Sequence, residues 1–233
     1  MMTYSTYKAK SIKQKELSDL VQLNDHGRKI VNYSAKSHIP IHPNNFWLVI
    51  TGVVKLIAKS PNGGDIVVGI VGKNQTIGAQ QINQATTSAV AMTDTELLYV
   101  SMAEIENCRA LALVIIESLS TNCRQSQELA YLLGLHRVKE RVQAFLQFLA
   151  NECGELCSDG QKINIKITHQ EIANTLSTTR VTISNTISIL KDEGWLLVNP
   201  KRLFVISSTK ESDVLRLEFD DKYRGGLQSL KTF

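Results

Sequence analysis

Short apolar and β-branched runs alternate with turn-forming residues from Arg28 to Val100. Runs of this length, bounded by glycine, proline or asparagine, are typical of antiparallel strands. The sequence NGGD at 62–65 marks a hairpin, because these residues tolerate the positive φ angles of tight turns, and Gly52 marks another corner. The pattern predicts a compact antiparallel β-barrel or jelly roll with strands in KIVNYS, FWLVITG, VVKLIAKS, IVVGIVG, SAVAM and TELLYVS.

Helical spacing of apolar residues replaces the strand pattern from Ala103 onward. Between Ala103 and Leu135 the chain has no proline and a single glycine, so we predict a short helix and then one long helix. One heptad phase of the long helix forms a stripe of mostly small and apolar side chains, which suits close helix pairing. The stripe consists of Ala112, Ile116, Leu119, Cys123, Ser126, Ala130 and Leu133. Because the helix is longer than a small barrel can cover, we expect a homodimer.

A second domain is expected after the long helix. RVKERVQAFLQFLANECG predicts a helix whose apolar face contains Val138, Val142, Phe145, Leu146 and Leu149, and KINIKI predicts a strand.

Two short helices follow this strand. Thr168 and Glu171 have the spacing of a capping box, which predicts a helix that buries the apolar residues Ile172, Ala173 and Leu176. The next helix begins near Thr178 or Thr179 and buries Ile183, Ile187 and Leu190. Two short helices joined by a tight turn form a helix-turn-helix, in which the second helix enters the major groove of DNA. WLLVNPKRLFVIS predicts a β-hairpin wing, with NP at the turn and KR at the tip.

Short hydroxyl side chains are frequent in these two helices, although serine and threonine lower helix propensity. Hydroxyls donate to phosphate oxygens without the bulk that would hold a helix away from DNA. They continue through Thr182, Ser184, Thr186 and Ser188, which capping alone does not explain. Arg180 can reach guanine O6 and N7 with two hydrogen bonds, and Val181 can touch a thymine methyl. The candidate DNA-binding residues are Thr168, His169, Gln170, Thr178, Thr179, Arg180, Val181, Thr182, Ser184, Asn185, Lys201 and Arg202.

Composition narrows the class of protein. A chain of 233 residues with 43% hydrophobic content can bury a core in each of two modest domains, and its net charge of +4 permits nucleic-acid binding. The longest apolar run is far shorter than the roughly 20 residues of a membrane span, and the amino terminus has no signal-peptide core. We therefore expect a cytoplasmic protein without membrane association. The four cysteines lack a Cys-x-x-Cys pair, so we expect packing cysteines, no disulfide, no metal and no cofactor.

The stretch ITHQEIANTLSTTRVTISNTISILKDEGWL resembles the DNA-binding module of the Crp/Fnr family of bacterial transcription regulators, and its TTRVT is most similar to the nitrogen-control branch. FWLVITGVVKLIAKS with the following PNGG resembles the family's effector domain, and the long helix occupies the family's dimerisation position. The resemblance implies a homodimer that binds an inverted-repeat promoter site and contacts RNA polymerase. It also implies an α+β architecture: a cyclic-nucleotide-binding-like barrel over 1–102, a dimerisation helix region over 103–136 and a winged helix-turn-helix domain over 137–233.

Two departures from the family pattern concern base specificity and the effector. Many members carry a second recognition-helix arginine where this chain has Asn185, and asparagine reads adenine in preference to guanine. Members that bind cyclic nucleotides hold the ribose with a Gly-Glu pair and the phosphate with an arginine, whereas the matching stretch here is IGAQQINQATTSAVA. A buried phosphate without a cation is costly, so we expect no cyclic nucleotide binding.

The family's other effectors need cations or cysteines, and this chain has few of either near the expected sites. A 2-oxoglutarate site like that of the nitrogen-control branch would need cations, for which Lys73 and Arg124 are the candidates. The family's oxygen sensors hold an iron–sulfur cluster through amino-terminal cysteines, which are absent from this sequence. The candidate effector-binding residues are Gly78, Ala79, Gln80, Thr87, Ser88 and Arg124.

Two alternative functions compete with DNA binding. His38 and His42 would share one face of a strand, as in a cupin-type metal enzyme, but Pro40 interrupts that strand and no downstream glutamate accompanies them. The chain could instead be a protein-interaction module that has lost DNA binding, against which Arg180 and the hydroxyl set argue. We expect neither catalytic residues nor a metal site.

Overall fold

The chain divides into two structural units, Met1–Leu133 and Gly134–Phe233. A computed structural model describes residues 30–41, 45–60, 63–78 and 87–208. The long helix belongs to the first unit together with the strands that precede it. The division into three segments that the sequence suggested stays a prediction.

Antiparallel strands form two four-stranded sheets in the first unit. The strands are β1 (Ile30–Tyr33), β2 (His38–Ile39), β3 (Asn45–Thr51), β4 (Val54–Lys59), β5 (Asp65–Val71), β6 (Thr76–Gly78), β7 (Thr87–Ala91) and β8 (Thr95–Ser101). Their order is β1-β8-β3-β6 in one sheet and β2-β7-β4-β5 in the other. The predicted jelly roll is confirmed, but β2 and β6 were missed because strands of two or three residues are too short to show an alternating pattern.

Apolar side chains from both sheets form one core, which includes Val49, Leu56, Ile77 and Leu97. The corner at Gly52 requires glycine, since its φ is +89° and a Cβ there would lie 2.4 Å from the Thr95 hydroxyl oxygen. The NGGD hairpin is also confirmed in its described part: Gly63 and Gly64 have φ of 79° and 95° between β4 and β5.

Two helices close the first unit, α1 (Met102–Asn107) and α2 (Arg109–Leu133), as predicted. A face of α2 that contains Leu111, Val114 and Ile115 packs on the outer face of the first sheet. Farther along, the Ser118 hydroxyl accepts the Thr76 backbone N–H at 3.0 Å. The buried Gln125 amide bonds both backbone groups of Ile70. Because β5 is an edge strand, Gln125 pairs backbone groups that the sheet leaves open.

The predicted dimer stripe of α2 lies beside this packed face, and only its first member, Ala112, contacts the same apolar cluster. Ile116 is 60% exposed, and Leu119 and Leu133 are each 42% exposed. Cys123, Ser126 and Ala130 are exposed as well, and Ala112 is half-buried.

The second unit surrounds a sheet of order β11-β12-β10-β9. Its elements are α3 (Val138–Cys153), β9 (Gly154–Cys157), β10 (Gly160–Ile163), α4 (His169–Thr175), α5 (Arg180–Asp192), β11 (Leu196–Val198) and β12 (Phe204–Ser207). The apolar face predicted for α3 is confirmed, since Val142, Phe145, Leu146 and Leu149 are fully buried and Val138 is half-buried.

Two predictions, the KINIKI strand in this unit and the packing of the cysteines in both units, were only partly right. KINIKI leaves the sheet after Ile163, because β9 pairs with β10 only as far as that residue, although Ile165 and Ile167 remain buried. The cysteines were expected to be packing residues, yet Cys123 and Cys157 are exposed. Cys153 does pack: its Sγ lies 3.0 Å from the Leu149 carbonyl oxygen, and burial, then Glu152, raises its pKa to about 12.

None of the helices in the described ranges combines the length and apolar character that a membrane span requires.

Candidate nucleic-acid interface

The helix-turn-helix is built by local capping at each helix start. The Thr168 hydroxyl accepts the Glu171 backbone N–H at 3.1 Å, and the Glu171 carboxylate accepts the Thr168 backbone N–H at 2.8 Å, which completes the predicted capping box. The Thr179 hydroxyl accepts the Thr182 backbone N–H at 3.1 Å and so caps α5. Both predicted helix starts are confirmed.

The turn between α4 and α5 is held by Ser177 and Thr178. Ser177 has a φ of 52°, in the left-handed region, and the half-buried Thr178 donates its backbone N–H to the Ala173 carbonyl at 2.9 Å. Ala173 is itself fully buried, as predicted for a small residue where two helices cross. Ser177 and Thr178 therefore fix how the chain passes from α4 into α5.

Helix α5, the second helix of this motif, has one buried and one exposed face. Ile183, Ile187 and Leu190 are buried, as predicted. Thr186 is buried too, and its hydroxyl donates to the Thr182 carbonyl at 2.8 Å. The inclusion of Thr186 among outward-facing hydroxyls was therefore wrong, because its position in the helix turns it toward the core. The exposed face retains Arg180, Val181, Asn185 and Ser188.

The exposed candidates offer different chemistry along α5. Val181 is 69% exposed, which leaves an apolar surface available in the first turn. Arg180 is exposed and forms no ion pair with any residue in the described part of the chain. Asn185 is exposed one turn farther along. The arrangement combines a planar cation, an apolar side chain and an amide, the three groups that read base edges.

Several hydroxyls are already engaged within the protein. The Thr168 hydroxyl lies 2.8 Å from the Glu171 carboxylate and donates to it, so its hydrogen is already engaged. The Thr179 and Thr182 hydroxyl oxygens are 2.8 Å apart. Only one hydrogen can bridge that pair, so the other remains available to a phosphate oxygen. The Gln170 amide donates to Asn174 at 2.7 Å and keeps a second N–H free.

His169 joins three elements of this unit. Its Nδ1 lies 2.9 Å from the Ser184 hydroxyl oxygen on α5. Its ring stacks on Phe204 of β12, with centroids 6.5 Å apart and planes at 11°. Burial, followed by the cations of Lys191 and Arg180, lowers the pKa of His169. Phe204 and Lys191 were absent from the candidate residues, because no local sequence pattern links them to position 169.

The wing is the predicted hairpin of β11 and β12. Asn199 closes its turn, donating its N–H to the Leu203 carbonyl at 3.0 Å and accepting the Leu203 N–H through its side chain at 2.8 Å. Lys201 and Arg202 are exposed at the tip, where Arg202 has a φ of 61°. The wing tip thus presents two cations in the same unit as α5.

The effector candidates are only partly described. Gly78 is buried under Phe46, and a Cβ there would lie 2.4 Å from the ring, so packing alone requires glycine. Thr87 and Ser88 are half-buried in β7, where they pair with Ala58 and Ile57. Arg124 is exposed and bonds Glu128 at 3.2 Å. Ala79 and Gln80 lie outside the described residues.

Of the two histidines that could suggest a metal enzyme, the structure describes one. His38 is exposed on β2, and His42 lies outside the described residues. Within the ranges that the structure covers, no three His, Cys, Asp or Glu side chains are grouped as a metal site would require.

Each of the two units contains a segment that matches a known protein domain. Residues 140–210 match the Crp-like helix-turn-helix domain, and residues 42–110 match the cyclic nucleotide-binding domain. The global nitrogen regulator of Nostoc sp. is 26% identical over 168 residues, which cover 68% of this chain and 75% of that protein. The cyclic AMP receptor protein of Thermus thermophilus is 26% identical over 162 residues, covering 66% and 71%. The solved structure of a CRP/FNR-family transcriptional regulator from Thermus thermophilus superposes with a TM-score of 0.62 at 21% identity, covering 77% of this chain and 94% of that one.

Proposed function

The chain belongs to the Crp/Fnr family of transcription regulators and resembles its nitrogen-control branch, and we propose that it binds an inverted-repeat promoter site as a homodimer. Each protomer would place α5 in the major groove of one half-site and its wing against the flanking phosphates. From this site it would contact RNA polymerase in the cytoplasm of a bacterial cell.

The exposed face of α5 carries the proposal. Arg180 lies in the first exposed turn without an ion-pair partner in the described ranges, beside Val181 and a free hydroxyl hydrogen of the Thr179–Thr182 pair. A recognition helix needs such a set, because the guanidinium reads a guanine while hydroxyls fix the register on phosphates. Asn185 stands where many family members carry arginine, so we propose a half-site with adenine at the base that it faces.

The exposed stripe of α2 supports the homodimer. Ile116, Leu119 and Leu133 expose large apolar surface in a row with small residues between them. Monomers rarely leave such a surface in water, and heptad spacing matches the seam of a two-helix coiled coil. The proposed partner is therefore a second copy of α2.

The match to a cyclic nucleotide-binding domain does not by itself identify the ligand of this barrel. The nitrogen regulator and the cyclic AMP receptor share the same 26% identity with this chain, so percentage identity alone does not select the ligand. The sequence has no arginine between Arg28 and Arg109 to neutralise a cyclic phosphate. We propose a barrel that does not bind cyclic nucleotides; the candidate effector is an anion such as 2-oxoglutarate.

Selection from a random duplex pool tests the DNA-binding proposal. The purified protein is expected to enrich an inverted repeat whose half-site centres are ~34 Å apart, one helical turn, with affinity that falls steeply as salt rises. Sedimentation of the complex should give two protomers per duplex. No enriched sequence would contradict specific binding, and a single unrepeated half-site bound by one protomer would contradict the dimer.

A further inference from the structure

His169 occupies the junction between the recognition helix and the wing. Its Nδ1 is 2.9 Å from the Ser184 hydroxyl of α5, and the face of its ring stacks on Phe204 of β12. One side chain at the start of α4 thus contacts both elements that the proposed function places on DNA. This double contact raises the question of what its protonation would change.

The hydrogen bond between His169 and Ser184 can run in either direction. A neutral ring with its proton on Nε2 accepts the Ser184 hydroxyl hydrogen at Nδ1, and Ser184 then has no hydrogen to offer DNA. In the imidazolium both ring nitrogens donate, so Ser184 accepts and its own hydrogen becomes free. A neutral ring with its proton on Nδ1 also frees that hydrogen, but its Nε2 is then an acceptor that cannot pair with phosphate. Ser188 does not compete, because its hydroxyl donates to the Ser184 backbone carbonyl at 3.1 Å.

We propose that His169 is a positioning residue that makes operator affinity depend on pH, by setting the direction of the Ser184 hydroxyl while its ring holds the wing strand. This inference rests on the proposed function, since it concerns the same DNA-binding face.

The charged groups around His169 determine the sign of the effect. Burial, then Lys191 and Arg180 of α5, lower the pKa of His169 in the free protein. On α4, the Glu171 carboxylate is engaged with Thr168. The β12 sequence FVIS contains no titratable side chain, and the wing adds two cations at its tip.

Bound DNA would reverse this bias. Its phosphates bring negative charge to the same cations, so the pKa of His169 rises in the complex and binding takes up a proton. Affinity therefore increases as the pH falls from the bound-state pKa toward the free-state pKa. Fold stability moves the opposite way: because the folded pKa is below the unfolded value, the unfolded chain takes up protons first, and stability is lost as the pH falls below about 6.5. A purely structural histidine would weaken DNA binding on acidification, whereas this proposal requires DNA binding to tighten.

The test measures the dissociation constant of the selected inverted-repeat duplex from pH 7.5 to 5.5 at fixed ionic strength. Uptake of one proton per protomer, two per dimer, changes affinity by at most a hundredfold per pH unit, so the wild type is expected to tighten about ten- to hundredfold over the range. His169→Gln keeps a polar amide near Ser184 that does not titrate, so its profile should be flat. Ser184→Ala should lose part of the gain at low pH. His38→Gln, an exposed histidine of the first unit, is the control and should match the wild type.

An independent readout uses the wild type alone, in case a variant fails to fold. The ring of His169, followed by NMR with labelled histidine, should titrate at higher pH in the operator complex than in the free protein. An unchanged ring pKa, or a His169→Gln profile as steep as the wild-type profile, overturns the inference while leaving specific DNA binding intact. Absence of specific binding by the wild type at every pH overturns the proposed function as well.

Discussion

Among single residues, Arg180 gives the most direct test of the proposed sequence recognition. Replacing it with alanine is expected to cost roughly 1–3 kcal/mol of operator binding and to relax specificity at one base of each half-site, because its two-donor contact with guanine is lost. Lys201→Ala is the matched control: it should weaken selected and scrambled duplexes alike and lower the salt slope by about one charge per protomer, two per dimer. Both are measured by fluorescence anisotropy. Equal discrimination by Arg180→Ala and wild type would refute the assignment of α5 as the reading helix.

Ser177 carries backbone strain in the turn of the same motif. Its φ of 52° lies in the left-handed region, which costs an L-residue about 1–2 kcal/mol and glycine almost nothing. Ser177→Gly should therefore slow amide hydrogen exchange in α4 and α5, with a gain in opening free energy below about 1 kcal/mol, because glycine also loosens the unfolded chain. Ser188→Gly, in the exposed helical face, should instead speed exchange, because glycine lowers helix propensity and relieves no strain there. Faster exchange in both variants would show that the Ser177 conformation is not strained.

At the scale of elements, the α2 stripe predicts where two chains meet. If Cys123 lies on the seam, mild oxidation should cross-link the dimer, since a disulfide needs Cα atoms about 4.4–6.8 Å apart. Cys123→Ser should abolish the product on a non-reducing gel. Cys157→Ser is the control, because Cys157 is equally exposed but lies in the second unit. A cross-link that persists in Cys123→Ser would place the seam on another face of α2.

Helix α2 has one face bonded to the barrel and another face exposed. Ser118 and Gln125 are buried polar residues that bond backbone groups of β6 and β5, so this face is committed to the barrel. The face of α2 that contains Cys123 is exposed. Because a buried polar side chain without its partner is costly, rotation of α2 about its axis is disfavoured. Hydrogen bonds to the sheet would thereby set which face of α2 is available to a second copy in the proposed dimer.

For the whole molecule, the sharpest expectation concerns the effector. Cyclic AMP and cyclic GMP should show no binding by titration calorimetry and should leave operator affinity unchanged, because the barrel lacks an arginine to compensate the phosphate charge. A ligand shifts a conformational equilibrium only through its differential affinity for the two forms. The same titration with 2-oxoglutarate tests the alternative anion. Micromolar binding of either cyclic nucleotide would contradict this assignment.

The sequence alone determined the features that depend on near neighbours. The capping box of Thr168 and Glu171, the corner at Gly52 and the amphipathic face of α3 are all written within a few residues, and all three are confirmed. The helix-turn-helix was recognisable for the same reason, because its caps, its turn and its buried residues are local.

Tertiary structure decided the features that require distant partners. The KINIKI strand ends where β9 stops pairing, Thr186 turns inward because α5 packs on that side, and Gln125 finds an unpaired strand edge. His169 meets Ser184 and Phe204 only after two helices and the wing have come together. Propensity and periodicity carry information over one or two turns of helix, whereas these contacts join residues whose proximity is created by packing of the whole domain.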